Sequence, residues 1–340
     1  MKYFSLFTGV GGFELGIGYA HSQQTKGIQQ GINNSSRSSS GESFLGAEPL
    51  CVGFSEIDKH ASAVLRYHYP DIKNYGDISK IDWSTVPDFD LLVGGSPCQD
   101  FSIAGKRAGL AGARSGLFGE YVRALEEKKP AHFIWENVKG VLSSNGGRDF
   151  AVILDTLAES GYSLWWQVLN AKDFGVPQNR ERIFIVGTRN GMPREILFER
   201  ESSGDHPNSG VIAGTVTSRY PASQREGAYI EETRHSTGAI EQINQPKHSN
   251  NRLYGTGGIA PALNTMQGGR RQPKISEGSR IRRLTPIECE RLMSFPDNHT
   301  KYGRREDGTA YEQSDTQRYK QCGNGVVANV VAEIVKQHIL

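Results

Sequence analysis

Residues 1–190 alternate short apolar runs with stretches of helical periodicity, and this alternation constrains the fold more than any other feature of the chain. The apolar runs cover 3–7, 50–55, 89–94, 131–135, 164–169 and 182–187, each bounded by Gly, Pro or Asp. Runs this short, so bounded, read as buried strands rather than helices. Helical patterns lie between several of them, at 59–67, 117–127 and 150–159. Strands separated by helices build an open, mostly parallel α/β sheet.

Composition narrows the class further. A chain of 340 residues buries enough surface to need no disulfide or metal staple. Its four cysteines, Cys51, Cys98, Cys289 and Cys322, are scattered with no C-x-x-C pair, which argues against a disulfide framework or a zinc knuckle. No metal site is expected. No apolar run approaches the length of a membrane span. The N-terminal MKYFSLFTGVGGF reads as a buried strand entering a turn, not as a signal peptide. The expectation is a soluble chain in a reducing, cytoplasmic setting. The formal net charge is only +2, so the local distribution of charge must decide whether nucleic acid is a partner.

Three segments depart from the alternation. Residues 22–46 are mostly Ser, Gln, Gly and Asn, with Ile28, Ile32, Phe44 and Leu45 as the only strongly apolar side chains. That composition builds no core and is read as a flexible low-complexity insertion. From about 190 to 278 the chain is polar and rich in Gly, Ser, Thr and Asn, as expected of a smaller, irregular, partly β domain. Order returns at Arg283. Thr285, Pro286 and Glu288 form a helix start, with Thr as N-cap, Pro at the first helical position and Glu three residues after the cap. Phe295-Pro296 ends that helix. Beyond Gly325, the apolar residues Val327, Val330, Val331, Ile334 and Val335 form one stripe at helical spacing. The stripe needs a core, so the chain is expected to leave the first domain, build the second and return.

The strand ends carry the chemistry. After the first run come Gly9, Gly11 and Gly12, which permit a sharp turn and a close approach of a ligand to the main chain. The second run ends at Glu56, where a carboxylate can bind both hydroxyls of a ribose. Discounting 22–46 brings Gly12 and Glu56 to the usual separation of about 20 residues. Asp77, in Gly76-Asp77-Ile78, suits the amino edge of adenine. This much defines an adenosine-containing cofactor site and leaves NAD open. The third run enters Gly94-Gly95-Ser96-Pro97-Cys98-Gln99, and a cysteine on a polar loop outside the carboxyl end of a strand is placed for nucleophilic work. A small, basic stretch follows at 101–116, with Lys106, Arg107 and Arg114, read as a lid over an anionic substrate. The fourth run ends in Glu136-Asn137-Val138, which offers a general acid. Arg180 and Arg182, two apart at a strand start, point to one side and can hold a carbonyl oxygen or a phosphate. A solvated surface role for these charges is the bland alternative to each.

Taken in order, Phe7-Thr8-Gly9-Val10-Gly11-Gly12-Phe13, Glu56, Gly76-Asp77-Ile78, Pro97-Cys98-Gln99, Glu136-Asn137-Val138, the stretch from Gln178 to Arg182, Arg283-x-Leu-Thr-Pro286 with Phe295-Pro296-Asp297, and Gly323-Asn324-Gly325-Val326 resemble the ordered motifs of the DNA (cytosine-5) methyltransferases. The resemblance spans residue 4 to about 331 and skips the insertion and the variable second domain. Two positions depart from the pattern. Ile57 stands where a bulkier or aromatic residue is usual, and Gly325 where Ser or Ala is frequent.

The resemblance implies a Rossmann-like class I methyltransferase sheet with a smaller, irregular, partly β target-recognition domain. The catalytic and cofactor-binding domain would cover 1–188, the target-recognition domain 189–282 and the return segment 283–340, its last helix at about 325–340 packing on the catalytic domain. The implied cofactor is S-adenosyl-L-methionine. Phe7 would stack on its adenine, Gly9, Gly11 and Gly12 would underlie its methionine part, Glu56 would take the ribose and Asp77 the adenine amino group. Ile57, Ile78, Pro97, Leu117 and Asn324 would complete the pocket. Cys98 would attack C6 of cytosine, with Glu136 at N3, Arg182 at the base carbonyl and Arg180 in support. The implied partner is double-stranded DNA, with the target base flipped out of the stack. Gln99, Ser102, Lys106, Arg107, Arg114, Arg270 and Arg271 would contact it. Six basic residues stand against Glu277 between 270 and 283, as phosphate contacts require. The form implied is the stand-alone bacterial or phage type, a monomer in the cytoplasm associated with the nucleoid, with a cognate restriction endonuclease acting separately as one possibility.

Three other readings compete. A tRNA cytosine-5 methyltransferase shares the motifs but typically has a short second domain, whereas about 90 residues separate Gly187 from Arg280 here. A nicotinamide-dependent oxidoreductase leaves Pro97-Cys98-Gln99 and the paired arginines unexplained. A catalytically dead DNA-binding relative does not fit, because every key polar residue is present.

Overall fold

The computed structural model describes residues 1–34, 48–97, 116–191, 240, 242, 252–254, 258–265, 272–277 and 280–340. Six strands make the central sheet: β1 (Lys2–Leu6), β2 (Leu50–Ser55), β3 (Leu91–Gly94), β4 (His132–Val138), β5 (Ser163–Asn170) and, after the short β6 (Gln178–Asn179), β7 (Glu181–Thr188). Their order is β2-β1-β3-β4-β7-β5. The first four are parallel neighbours. β7 runs antiparallel to both β4 and β5. Its reversal follows from chain length: only residues 171–180 separate β5 from β7, too few for the crossover a parallel connection needs. The mostly parallel α/β sheet expected from the alternation is the observed one, and all six apolar runs became strands.

Side chains alternate across this sheet as the twofold period requires. Tyr3, Leu91, Val93 and Ile134 enter one core layer, and Phe4, Leu6, Leu92, Phe133 and Trp135 the other. Helices α1 (Gly12–Asn34), α2 (Lys59–His68), α3 (Gly116–Lys128) and α4 (Arg148–Glu159) link the strands. Asp58 caps α2 by accepting from the amides of His60 and Ala61. Small pairings follow in the second half: β8 (Leu253–Tyr254) and β11 (Arg280–Arg283) flank β10 (Lys274–Glu277), while β9 (Ala260–Pro261) pairs with β6. Helix α5 (Pro286–Leu292) starts with the anticipated capping box, Thr285 and Glu288 each bonding the other's backbone, with Pro286 at the first position.

The return segment closes the fold. After the hairpin of β12 (Tyr302–Arg304) and β13 (Ala310–Glu312), α6 (Asp315–Asn324) leads into α7 (Ala328–His338). α7 buries Val330, Val331, Ile334 and Val335 in the layer that also holds Phe13 and Ile17 of α1. The two helices touch through glycine. A Cβ on Gly16 would lie 2.5 Å from Val331 Cβ, and one on Gly12 2.8 Å from Val326 Cγ1. No helix among the described residues is long and apolar enough to cross a membrane.

The segment 22–46 departs from expectation over its first half. α1 continues through Asn34, into the stretch read as a flexible low-complexity insertion, where no helix was expected. Extending a nucleated helix needs only one bond per residue, the Gln and Lys residues are good helix formers, and no Pro stops it. Residues 35–47 lie outside the described residues.

Candidate active site

The first strand ends in a turn whose backbone is under steric strain. Phe7, Gly9 and Gly11 have φ of 52°, 60° and 91°, a region that non-glycine residues rarely adopt. Among the described residues a Cβ on Gly9 would meet no atom within 4 Å, so glycine serves the conformation of the turn. The Gly9 amide donates to Glu56 Oε2 at 2.8 Å, and the Asp58 amide donates to Glu56 Oε1 at 2.7 Å. The Glu56 carboxylate thereby ties the end of β2 to the turn after β1. Burial raises its pKa despite these amides.

Beside it, Ile57 is 76% exposed, an apolar side chain held open at the rim of the turn. Asp77 caps a 3-10 turn at Ile78–Lys80 and accepts from the Ser79 amide and hydroxyl, which holds its carboxyl below the ordinary value. Ile78 is buried beneath it. Phe7 and Leu117 both pack, half-buried, on the second core layer. Pro97 and Asn324 are exposed. Gly12 faces Val326 and Phe295 and so packs the return segment. These residues offer a bare backbone cradle, a carboxylate for vicinal hydroxyls and apolar walls. That donor set fits an adenosine-bearing cofactor.

The second half of the site lies at the ends of β3, β4 and β7. Arg182 Nε pairs with Glu136 Oε1 at 3.0 Å, and both side chains are largely shielded from solvent. Burial raises the Glu136 pKa, while Arg182 and then Arg180 oppose the rise. Gly95 admits this carboxylate, since a Cβ there would lie 2.6 Å from Glu136 Oε2. The loop after β3 is pinned to β4 just ahead of Pro97: Asn137 Nδ2 donates to the Ser96 carbonyl at 2.9 Å, and Trp135 Nε1 to the Ser96 hydroxyl at 3.1 Å. Cys98, Gln99, Ser102, Lys106, Arg107, Arg114, Arg270 and Arg271 lie outside the described residues.

Arg180 has a different setting from Arg182. It is 2% exposed and donates to the carbonyls of Leu263, Gly323 and Gly325 at 2.9, 2.9 and 2.7 Å. Burial lowers its pKa to about 9, with Arg182 adding to the effect. Gln178 makes a parallel tie, donating to the Leu292 carbonyl at 2.7 Å and accepting from the Leu263 amide at 3.2 Å. A Cβ on Gly323 would lie 2.1 Å from the Asn264 carbonyl oxygen. Gln178, Arg180 and Gly323 thus clamp 263–265 and the return segment onto β6.

Sequence reasoning gave no role to Asn137, Ser96 or Gln178. The signal for Asn137 was present: a neutral amide near the end of a buried strand must find a partner. The other three cysteines are buried; burial pushes the Cys289 thiol up to about 12 and raises those of Cys51 and Cys322, so each packs as an inert apolar group. The described residues contain no cluster of His, Cys, Asp or Glu able to hold a metal ion.

An open sheet with an antiparallel β7, a glycine turn after β1 and a carboxylate at the end of β2 defines a class I methyltransferase fold. The C-5 cytosine-specific DNA methylase family matches residues 1–340, and the chain belongs to that family. It is 32% identical to the type II methyltransferase M.HhaI of Haemophilus parahaemolyticus over 98% of this chain and 93% of that protein. It is 27% identical to the orphan methyltransferase M.SPRI of Bacillus phage SPR over 100% and 97%. The match to M.NlaIV of Neisseria lactamica, at 36% identity, spans 69% of this chain and about half (54%) of that protein. Two solved structures share the fold: a DNA modification methyltransferase encoded within an E. coli prophage, with TM-score 0.60 and 19% identity over 99% and 98% of the chains, and a Spodoptera frugiperda DNMT2 variant, with TM-score 0.60 and 17% identity over 98% of each.

Proposed function

We propose that the chain is a sequence-specific DNA (cytosine-5) methyltransferase. It transfers a methyl group from S-adenosyl-L-methionine to C5 of a cytosine flipped out of duplex DNA, through a covalent Cys98–C6 bond. The observation that carries this reading is the shielded Glu136–Arg182 pair at 3.0 Å, seated against Gly95, three residues before Cys98.

Cytosine C5 is a poor nucleophile. Addition of the Cys98 thiolate at C6 pushes the electrons of the C5–C6 double bond onto C5 and splits one hard step into easier ones. Glu136, whose pKa burial raises, donates a proton to N3 and draws electron density from the ring. Arg182 holds the C2 carbonyl oxygen, and the buried Arg180 supports that arrangement from behind. When bound, S-adenosyl-L-methionine supplies an electrophilic methyl group. Phe7, Gly9, Gly11, Gly12, Glu56, Ile57, Asp77, Ile78, Pro97, Leu117 and Asn324 would hold it. Loss of the C5 proton to water forms the C5–C6 double bond and expels the Cys98 thiolate, and N3 returns its proton to Glu136, which restores the aromatic ring.

Duplex DNA is the partner, unstacking of the target base costs a few kcal/mol, and contacts from the basic stretches at 99–114 and 270–283 offset it. Residues 189–282 read the sequence, and 283–340 return to the catalytic domain of 1–188. The protein acts as a monomer in the cytoplasm, on nucleoid DNA, and a restriction endonuclease paired with it would act separately. Expression in a methylation-free host followed by genome-wide mapping of 5-methylcytosine tests the reading. Modification confined to one short sequence word is expected. Unmodified DNA together with 5-methylcytosine in the host's tRNA would overturn it in favour of the tRNA enzyme.

A further inference from the structure

The turn at 7–11 holds three residues with positive φ, one of them the non-glycine Phe7. Strain of this kind persists only where the surroundings over-determine the backbone. Most of the clamps are local. Thr8 Oγ1 donates to the Ser5 carbonyl, the Gly11 amide to the Thr8 carbonyl, and the Gly9 amide to Glu56. Val10 is served differently. The main-chain bonding of α1 starts one residue later, with the Leu15 amide on the Gly11 carbonyl. The Val10 carbonyl meets His299 Nε2 at 2.7 Å, across 289 positions of chain.

His299 is itself held rigidly. Its ring stacks on His68 with centroids 4.3 Å apart and planes 13° from parallel, and His68 Nε2 bonds its carbonyl at 2.8 Å. The amides on either side, of Asn298 and Thr300, donate to the two oxygens of the buried Glu290 at 2.7 and 2.9 Å. Arg318 Nη2 completes that carboxylate at 3.0 Å. Because a carbonyl is the acceptor, His299 carries its proton on Nε2. Burial lowers its pKa to about 4, so the neutral ring donates throughout the physiological range.

We propose that His299 is a positioning residue for the cofactor: through the Val10 carbonyl it fixes the turn at 7–11 on which the methionine part of S-adenosyl-L-methionine lies. The inference rests on the cofactor reading proposed above. It makes cofactor affinity depend on the return segment as well as on the first two strands.

Two variants test it, His299→Leu, which removes the donor, and His299→Gln, whose amide can replace it. Calorimetry with S-adenosyl-L-methionine gives Kd, and initial rates on duplex DNA with the cofactor varied give KM and kcat. His299→Leu is expected to raise Kd and KM about fivefold, the loss of one net hydrogen bond, with kcat at saturation within about twofold of the parent. His299→Gln is expected to recover most of the affinity. A merely structural role would lower Tm in both variants and leave Kd where it was, and that result overturns the inference. If His299→Leu fails to fold, His68→Phe keeps the ring stack and removes the bond to the His299 carbonyl. It is expected to raise Kd by about twofold, and an unchanged Kd there also overturns the inference. A parent protein that binds no S-adenosyl-L-methionine would instead sink the cofactor reading itself.

Discussion

Glu14 shows how one buried group shapes stability against pH. It sits in the first turn of α1, where the helix dipole favours a negative charge. Yet it is only 4% exposed, and among the described residues neither carboxylate oxygen has a hydrogen-bond partner. Tyr3, Cys51 and Tyr69 lie close enough for its charge to raise their own pKa values. Burial wins and pushes the Glu14 carboxyl up from 4.5 to about 7. At 1.36 kcal/mol per unit, that shift amounts to roughly 3 kcal/mol.

The sign follows from linkage. Below pH 4.5 Glu14 is protonated in both states and costs nothing extra. As pH rises towards 7 the unfolded chain releases the proton first, so stability falls, and it levels off above about 7. His299 works in the opposite sense. Its pKa is lowered from 6.5 to about 4, so stability rises with pH across that interval and flattens the parent's profile. The difference between Glu14→Gln and the parent isolates Glu14, because the variant has no proton to lose there. Urea unfolding followed by tryptophan fluorescence from pH 4 to 8 should show the variant gaining about 3 kcal/mol relative to the parent. A difference that stays constant with pH would refute the account of an unpartnered buried carboxyl.

Further outcomes follow from the site and from α1. Asn137→Ala removes the tie from β4 to the Ser96 carbonyl; single-turnover methylation should slow at least tenfold, about 1.4 kcal/mol in the barrier, with cofactor Kd within twofold. Arg180→Met strips the shared donor from three carbonyls and should lower unfolding free energy by about 1–3 kcal/mol or more, the cost of leaving a buried acceptor unsatisfied. Arg180→Lys should not rescue it, because an ammonium cannot span the guanidinium's fork; rescue in urea titrations would contradict the clamp. Gly323→Ala drives a methyl group into the Asn264 backbone and should cost about 1–3 kcal/mol. Gly18→Ala in α1, with open space around its Cβ, should stabilise by about 0.5–1 kcal/mol, and thermal melts of the two variants compare them directly.

The strands were legible in sequence because each is a short apolar run with punctuation at both ends, and the helix at Thr285 because capping is local chemistry. Glu56, Glu136 and the glycine turn were legible because α/β sheets carry their ligands at strand ends. Other features depend on contacts between distant segments. Nothing near Arg180 in sequence foretells that its guanidinium serves Leu263, Gly323 and Gly325, or that Gly12 yields to Val326. The helix at Asp315–Asn324 was not anticipated; Ser314 ahead of Asp315, with buried Tyr319 and Cys322 three apart, was its only local mark. The run from Ser22 to Asn34 misled because its composition cannot build a core, yet it can prolong a helix nucleated elsewhere.

The proposed reaction turns on a covalent bond between Cys98 and the target base. A duplex carrying 5-fluorocytosine within the methylated sequence word, incubated with the protein and S-adenosyl-L-methionine, should give a denaturation-resistant adduct, because fluorine at C5 cannot leave as a proton does. Peptide mass spectrometry should place the nucleotide on Cys98, and Cys98→Ala should form no adduct and no 5-methylcytosine. An adduct or methylated product from Cys98→Ala would contradict the account.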